Sequence, residues 1–170
     1  MRLFVILLAL LVPAAWADQP GRIDEPAATD SPGLASFDDM VVVALSLIGT
    51  PYKYGGATPE AGFDCSGLVK YILGLSSSIE LPRSSHEMYT MSGRSLKESE
   101  LKAGDLLFFR IGKSKRINHV AVYIGENRFV HAPSTGNAVR VDPLGSTYWQ
   151  KYYVGARRVL PENDRVASNP

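Results

Sequence analysis

The chain has 170 residues, 45% of them apolar and 21% charged, with a formal net charge of +1. That is enough for one ordinary globular core, too short for two full-sized domains, and unlike a wholly disordered protein. The near-neutral charge gives no electrostatic footprint for nucleic acid, and a single cysteine excludes an internal disulfide framework or a multi-cysteine metal centre.

Met1-Arg2 supplies a short positive start, Leu3 to Val12 is unbroken apolar sequence, and Ala15-Trp16-Ala17 offers the small residues an export signal needs before cleavage. The run is shorter than the about 20 apolar residues of a spanning helix, so residues 1–17 are read as a cleaved signal peptide. The expected product is exported, periplasmic or secreted, with no transmembrane anchor after cleavage. Residues 18–36 carry Pro20, Pro26 and Pro32 with Gly21 and Gly33, the composition of a flexible leader. Residues 161–170 read as a polar tail, which leaves a folded domain over residues 37–160.

Within that domain helices come first. Ser36 is a candidate N-cap, Asp38 and Asp39 suit a helix start, and Met40, Val43, Ala44, Leu47 and Ile48 form an apolar stripe that Gly49 ends. A loop from Thr50 to Phe63 follows. A second helix is predicted from Asp64, burying Leu68, Val69, Ile72 and Leu73. Ser84 and Glu87 have capping-box spacing, which predicts a third short helix to Gly93. After Gly104 the period changes to that of strands: Leu106 to Arg110, an alternating His119 to Ile124, Arg128 to Ala132, Ala138 to Val141 and Tyr152 to Leu160. Asp105 is expected to cap the turn before its strand, and Tyr152 and Tyr153 to pack the sheet. Helices followed by an antiparallel meander make an α+β fold.

Two features carry chemistry. Asp64 as N-cap puts Cys65 in the first turn of a helix, where the dipole and free N–H groups favour a thiolate and can hold an oxyanion. An isolated cysteine there is also compatible with a small buried residue. A cysteine nucleophile needs a histidine, and the chain offers His86, His119 and His131. His86, on a polar helix start, reads as a surface residue. If Gly125-Glu126-Asn127 is a three-residue loop, Ala121 pairs with His131, and His119 and His131 become diagonal neighbours on one face, about 7–8 Å apart at the backbone. A two-residue loop would put them on opposite faces.

Gly49-Thr-Pro-Tyr-Lys-Tyr-Gly-Gly56, Phe63-Asp-Cys-Ser-Gly-Leu-Val69, Leu81-Pro-Arg-Ser84, Ala103-Gly-Asp-Leu-Leu-Phe-Phe109, Asn118-His-Val-Ala-Val-Tyr-Ile-Gly125 and Phe129-Val-His-Ala-Pro133 occur in that order. Together they resemble the NlpC/P60 family of cell-wall cysteine peptidases over residues 37–158. The resemblance implies a reduced papain-like α+β domain that hydrolyses amide bonds of peptidoglycan stem peptides or cross-links. It implies Cys65 as nucleophile, His119 as general base and acid, and His131 as the orienting third member. Tyr52 resembles a tyrosine that hydrogen-bonds near the nucleophile, and Ser66 and Arg83 fall where the family contacts substrate.

No metal or cofactor is expected. Cys65, His119 and His131 could instead form a metal site, but they lack metal-ligand spacing. A catalytically silent peptidoglycan-binding module competes with the peptidase, as does an amidase or acyltransferase on the same fold. The expected partner is the peptidoglycan stem peptide, without nucleic acid, and the sequence names no protein activator or targeting partner. The bond cut, γ-linkage or D-alanine cross-link, stays open.

Overall fold

A computed structural model describes residues 37–77, 79–91, 93–134 and 137–160. The expected signal peptide, leader, Ser36 cap and polar tail lie outside the described residues. Among those described, no helix is long and apolar enough to cross a membrane.

Helix α1 (Phe37–Ser46) buries Met40 and Ala44. It ends before the predicted stop, so Ile48 leaves the stripe and is 47% exposed, while Gly49 takes φ +91° in the turn that follows. The predicted loop contains a small hairpin, β1 (Ala57–Thr58) and β2 (Gly62–Phe63), and Pro51 bridges Ala138. Helix α2 (Cys65–Ser76) buries Leu68, Val69, Ile72 and Leu73 as its periodicity requires. Helix α3 (Ser85–Met91) starts at the expected capping box: Glu87 N–H donates to Ser84 Oγ at 3.2 Å, and Ser84 Oγ donates to Glu87 Oε2 at 2.7 Å.

The strands are β3 (Arg94–Leu96), β4 (Leu106–Phe109), β5 (His119–Gly125), β6 (Arg128–His131), β7 (Arg140–Pro143) and β8 (Tyr153–Arg158). They form one antiparallel sheet in the order β3-β8-β4-β5-β6-β7. The α+β expectation therefore holds. Strand β3 was not anticipated, and neither was helix α4 (Thr147–Tyr152), which is capped by Ser146. Strand β7 lies two residues later than predicted and includes Asp142.

Strand β5 does not alternate between core and solvent. Val120 and Val122 join a core with Leu68, Ile72 and Phe108 under the helices, while Ala121 joins a second core with Phe109, Phe129, Leu144 and Trp149 on the opposite face. Both faces of the central strands are therefore dry. Each fully buried Leu, Val, Ile or Phe side chain contributes roughly 1.5–3 kcal/mol. Tyr153 packs on Phe109 with ring centroids 5.9 Å apart, as expected of a sheet-packing tyrosine. Asp105 does more than cap a turn: it accepts from Lys102 N–H at 2.7 Å and also from Arg158 Nε and Nη2, each at 2.8 Å, tying β8 to β4 through a buried ion pair.

Candidate active site

Sterics fix where α2 begins. A Cβ on Gly67 would fall on the Gly56 carbonyl oxygen, so only glycine at residue 67 lets the helix start lie against the Gly55-Gly56 turn. Asp64 then fills the N-cap role: Oδ1 accepts from Gly67 N–H at 2.7 Å, and Oδ2 accepts from Gly55 N–H at 2.9 Å. Arg83 closes on the same carboxylate with Nη1 at 3.0 Å and Nη2 at 2.7 Å. Ser66 Oγ is held within this group, accepting from Arg83 Nη1 at 2.8 Å and donating to Asp64 Oδ1 at 3.3 Å. Ser66 and Arg83 thus have structural partners, although both line the groove in front of Cys65. The Arg83 hydrogen bonds and two backbone N–H groups hold the Asp64 carboxyl below its usual range against the opposing effect of burial.

That groove, about 430 Å³, is bordered by Tyr52, Tyr54, Cys65, Arg83 and Asn118. Burial pushes the Tyr52 phenol upward, with the Cys65 and Asp64 charges adding to it. It lines the same groove as the thiol, but among the described residues its hydroxyl makes no hydrogen bond.

The thiolate expected from the helix terminus is not the resting form. Burial pushes the Cys65 thiol up, and the neighbouring Asp64 carboxylate adds to this; the N–H groups of Val120, Ser66 and Cys65 itself oppose it without prevailing. Desolvating a sulfur anion outweighs the partial charge of a helix end.

His119 and His131 do share one face. Val122 pairs with Val130 and Tyr123 with Phe129, the register expected of a three-residue loop. It is reached differently: Gly125 pairs with Arg128 across a two-residue turn, Glu126 (φ 50°) and Asn127 (φ 57°), and a bulge between Tyr123 and Gly125 restores the parity. His119 Nε2 lies 2.9 Å from His131 Nδ1, and His131 Nε2 lies 3.0 Å from Asp142 Oδ2. Asp142 also accepts from Arg140 Nε and Nη2, both at 3.0 Å, and from Trp149 Nε1 at 3.1 Å.

The tautomers follow. The hydrogen bonds and the charge of Arg140, with the hydrogen bond from His131, hold the Asp142 carboxyl low against burial. As an ionised acceptor it requires a proton on His131 Nε2. Burial drives His131 down to about 4 and His119 down to about 3. Both rings are therefore neutral at ordinary pH. His131 Nδ1 must accept, His119 Nε2 must donate, and His119 Nδ1 is left without a proton. Trp149 seals the pair, its ring stacked on His119 at 5.7 Å and edge-on to His131 at 4.9 Å.

The groove brings Cys65, Tyr52, Ser66 and Arg83 together, and the sheet brings His119 and His131 together. The halves meet at β5, where the N–H of Val120, the residue after His119, turns to the Cys65 sulfur. Among the described residues no hydrogen bond joins Cys65 to either imidazole. Asp142 and Trp149 were missed from the sequence. Asp142 had a signal, a carboxylate two residues from Arg140, the strand partner of His131, but the predicted strand stopped at Val141. His86 lies apart on α3, only partly exposed, and its Nδ1 is buried without a partner among the described residues.

The murein DD-endopeptidase MepH of Escherichia coli K12 is 46% identical over 117 residues, 68% of this chain and 43% of that protein. The gamma-DL-glutamyl hydrolase of Bacillus subtilis 168 is 39% identical over 129 residues, 75% of this chain and 31% of that one. A crystal structure of an NlpC/P60 family protein from Bacillus cereus ATCC 10987 superposes with a TM-score of 0.70 at 34% identity, covering 76% of this chain and 42% of that chain. The chain thus spans less than half the length of each of these relatives. The NlpC/P60 family model matches residues 49–158, and this chain belongs to that family.

Proposed function

We propose that the chain is a cysteine peptidase hydrolysing amide bonds of peptidoglycan stem peptides or their cross-links. The observation that supports this most is the Asp142–His131–His119 relay. It leaves His119 Nδ1 able to accept a proton, on a strand whose next N–H meets the thiol. In this reading Cys65 is the nucleophile, His119 the base and acid, His131 the group that orients His119, and Asp142 the group that orients His131. Tyr52, Ser66 and Arg83 shape the groove that takes the acyl side of the substrate.

The thiol proton passes to His119 Nδ1 as sulfur attacks the carbonyl carbon. N–H groups at the start of α2 stabilise the oxyanion. The C–N bond breaks, and the proton on His119 goes to the departing amine. Water then adds to the thioester and gives a proton to His119, and that proton returns to sulfur as the C–S bond breaks, releasing the acid. Thiol and imidazole start neutral, so proton transfer accompanies attack rather than preceding it.

The same reading takes residues 1–17 as the signal that exports the protein to the wall, with residues 37–160 as the catalytic domain. The test is mass spectrometry of muropeptides released from purified sacculi by wild type and by Cys65→Ala. Soluble products from wild type alone are expected, and their masses name the bond. Retention on sacculi with no release would favour the silent binding module.

A further inference from the structure

A second groove, about 690 Å³, is bordered by Ile111, Asn137, Arg140, Tyr148 and Trp149, and meets the histidine pair through Trp149, which stacks on His119, and Asp142, which bonds His131. It adjoins the Cys65 groove along two seams. Asn118, on the rim of the first, exchanges two hydrogen bonds with Ile111 of the second, at 2.7 and 3.1 Å. Tyr52 N–H, from the first, donates to the Asn137 carbonyl of the second at 2.8 Å. His119 immediately follows Asn118, so the two grooves flank the histidine.

The chemistry of the second groove is specific. Asp142 occupies one edge of the Arg140 guanidinium, the Nε/Nη2 edge. The outer Nη1/Nη2 edge is open: Nη1 makes no hydrogen bond among the described residues, and the side chain is 46% exposed. Asp142 is turned inward, with its oxygens taken by His131, Arg140 and Trp149 and only 17% of its side chain exposed. What faces solvent is therefore the cation. Beside it Tyr148, 53% exposed, stands edge-on to Trp149 with centroids 5.0 Å apart and offers an apolar wall. A guanidinium edge matches a carboxylate with two parallel hydrogen bonds, and the aromatic wall suits the aliphatic chain that carries it.

We infer that this second groove is the leaving-group subsite, and that the open edge of Arg140 recognises a free carboxylate on the residue whose amine departs. The inference rests on the peptidase reading. In that reading His119 protonates the departing amine, which must then lie on the histidine side of the thiol, toward Arg140. The substrate class is an amide whose amine component is a carboxylate-bearing amino acid with an aliphatic side chain.

The test is the ratio of kcat/KM for two synthetic stem-peptide substrates differing only at the leaving residue, one with a free carboxylate and one with a carboxamide. Wild type is expected to favour the free acid roughly 10- to 100-fold, the range of a hydrogen bond to a charged group. Arg140→Gln is expected to bring the ratio to about one. Its loosened grip on Asp142 slows both substrates alike and cancels in the ratio. Should Arg140→Gln not fold, Arg140→Lys, which keeps the charge and loses the fork, is expected to shrink the ratio. Equal handling of both substrates by wild type, or a preference as large as that of wild type in the variant that folds, overturns this inference and leaves the peptidase reading standing. Cleavage of neither by wild type overturns both.

Discussion

His131 turns Nε2 to Asp142 Oδ2 at 3.0 Å, and this single contact sets the proton positions of the whole relay. Because the carboxylate can only accept, His131 must donate from Nε2 and accept at Nδ1, and His119 is forced into the tautomer with Nδ1 bare. Replacing Asp142 with Asn removes the charge and lets an amide N–H face His131 instead, which reverses the preferred tautomer. We expect Asp142→Asn to lower kcat on the order of 10²-fold with little change in KM. The loss is smaller than for an orienting group in direct contact with the base, because an imidazole intervenes. Unchanged kcat on released muropeptides would contradict the relay.

Burial lowers His119 to about 3 and His131 to about 4, which separates this site from an ordinary histidine titrating near 6.5. Below 6.5 the unfolded chain takes up protons that the folded rings refuse, so stability is full above 6.5 and falls as pH drops toward the depressed values. Each histidine steepens that fall by about 1.4 kcal/mol per pH unit. Urea unfolding between about pH 6.5 and 5 isolates the effect, because the depressed carboxyls Asp64, Glu100 and Asp142 take up protons in the unfolded chain only below about pH 5. A flat stability profile across that window would show that the rings are not held neutral.

What the sequence made legible was local and steric. Asp64 announced the helix start, the Leu68 to Leu73 spacing announced its buried face, and Ser84 with Glu87 announced the next cap. The parity of His119 and His131 was also readable, although a tight turn plus a bulge produces it, since both routes give the same register. Trp149 was not readable, because a six-residue helix has no periodicity to detect. Asp142 was lost because Pro143 hid the end of an edge strand, a position where proline is tolerated. The protonated thiol was beyond local reading altogether. Whether a helix end or desolvation prevails depends on burial supplied by β5, more than fifty residues away in sequence.

The thiol gives its own prediction. With burial holding the proton on Cys65, alkylation by iodoacetamide at about pH 7 is expected to be slower than for a free cysteine and to climb through and above the ordinary thiol range. A preformed thiolate would instead react at a rate independent of pH down to acid values. A plateau of fast alkylation between about pH 5 and 7 would overturn the neutral resting pair and move proton transfer ahead of attack.

Gly67 tests the steric basis of the site apart from its chemistry. Its Cβ position is occupied by the Gly56 carbonyl oxygen, a backbone atom that cannot swing aside as a long side chain would, and Asp64 Oδ1 stands only 3.1 Å away. Gly67→Ala must therefore push the start of α2 off the Gly55-Gly56 turn, stretching the Asp64 bonds to Gly55 and Gly67 and displacing Cys65. Ala is the better helix former by up to about 1 kcal/mol, so propensity alone predicts stabilisation. Overpacking against backbone predicts a net loss of about 1–3 kcal/mol. The two effects have opposite signs, and the urea midpoint of Gly67→Ala decides between them. A midpoint at or above that of wild type would mean the helix start has room that the contact with Gly56 denies it. A lowered midpoint with muropeptide release reduced beyond the loss of folded protein would show that this glycine fixes the position of the thiol.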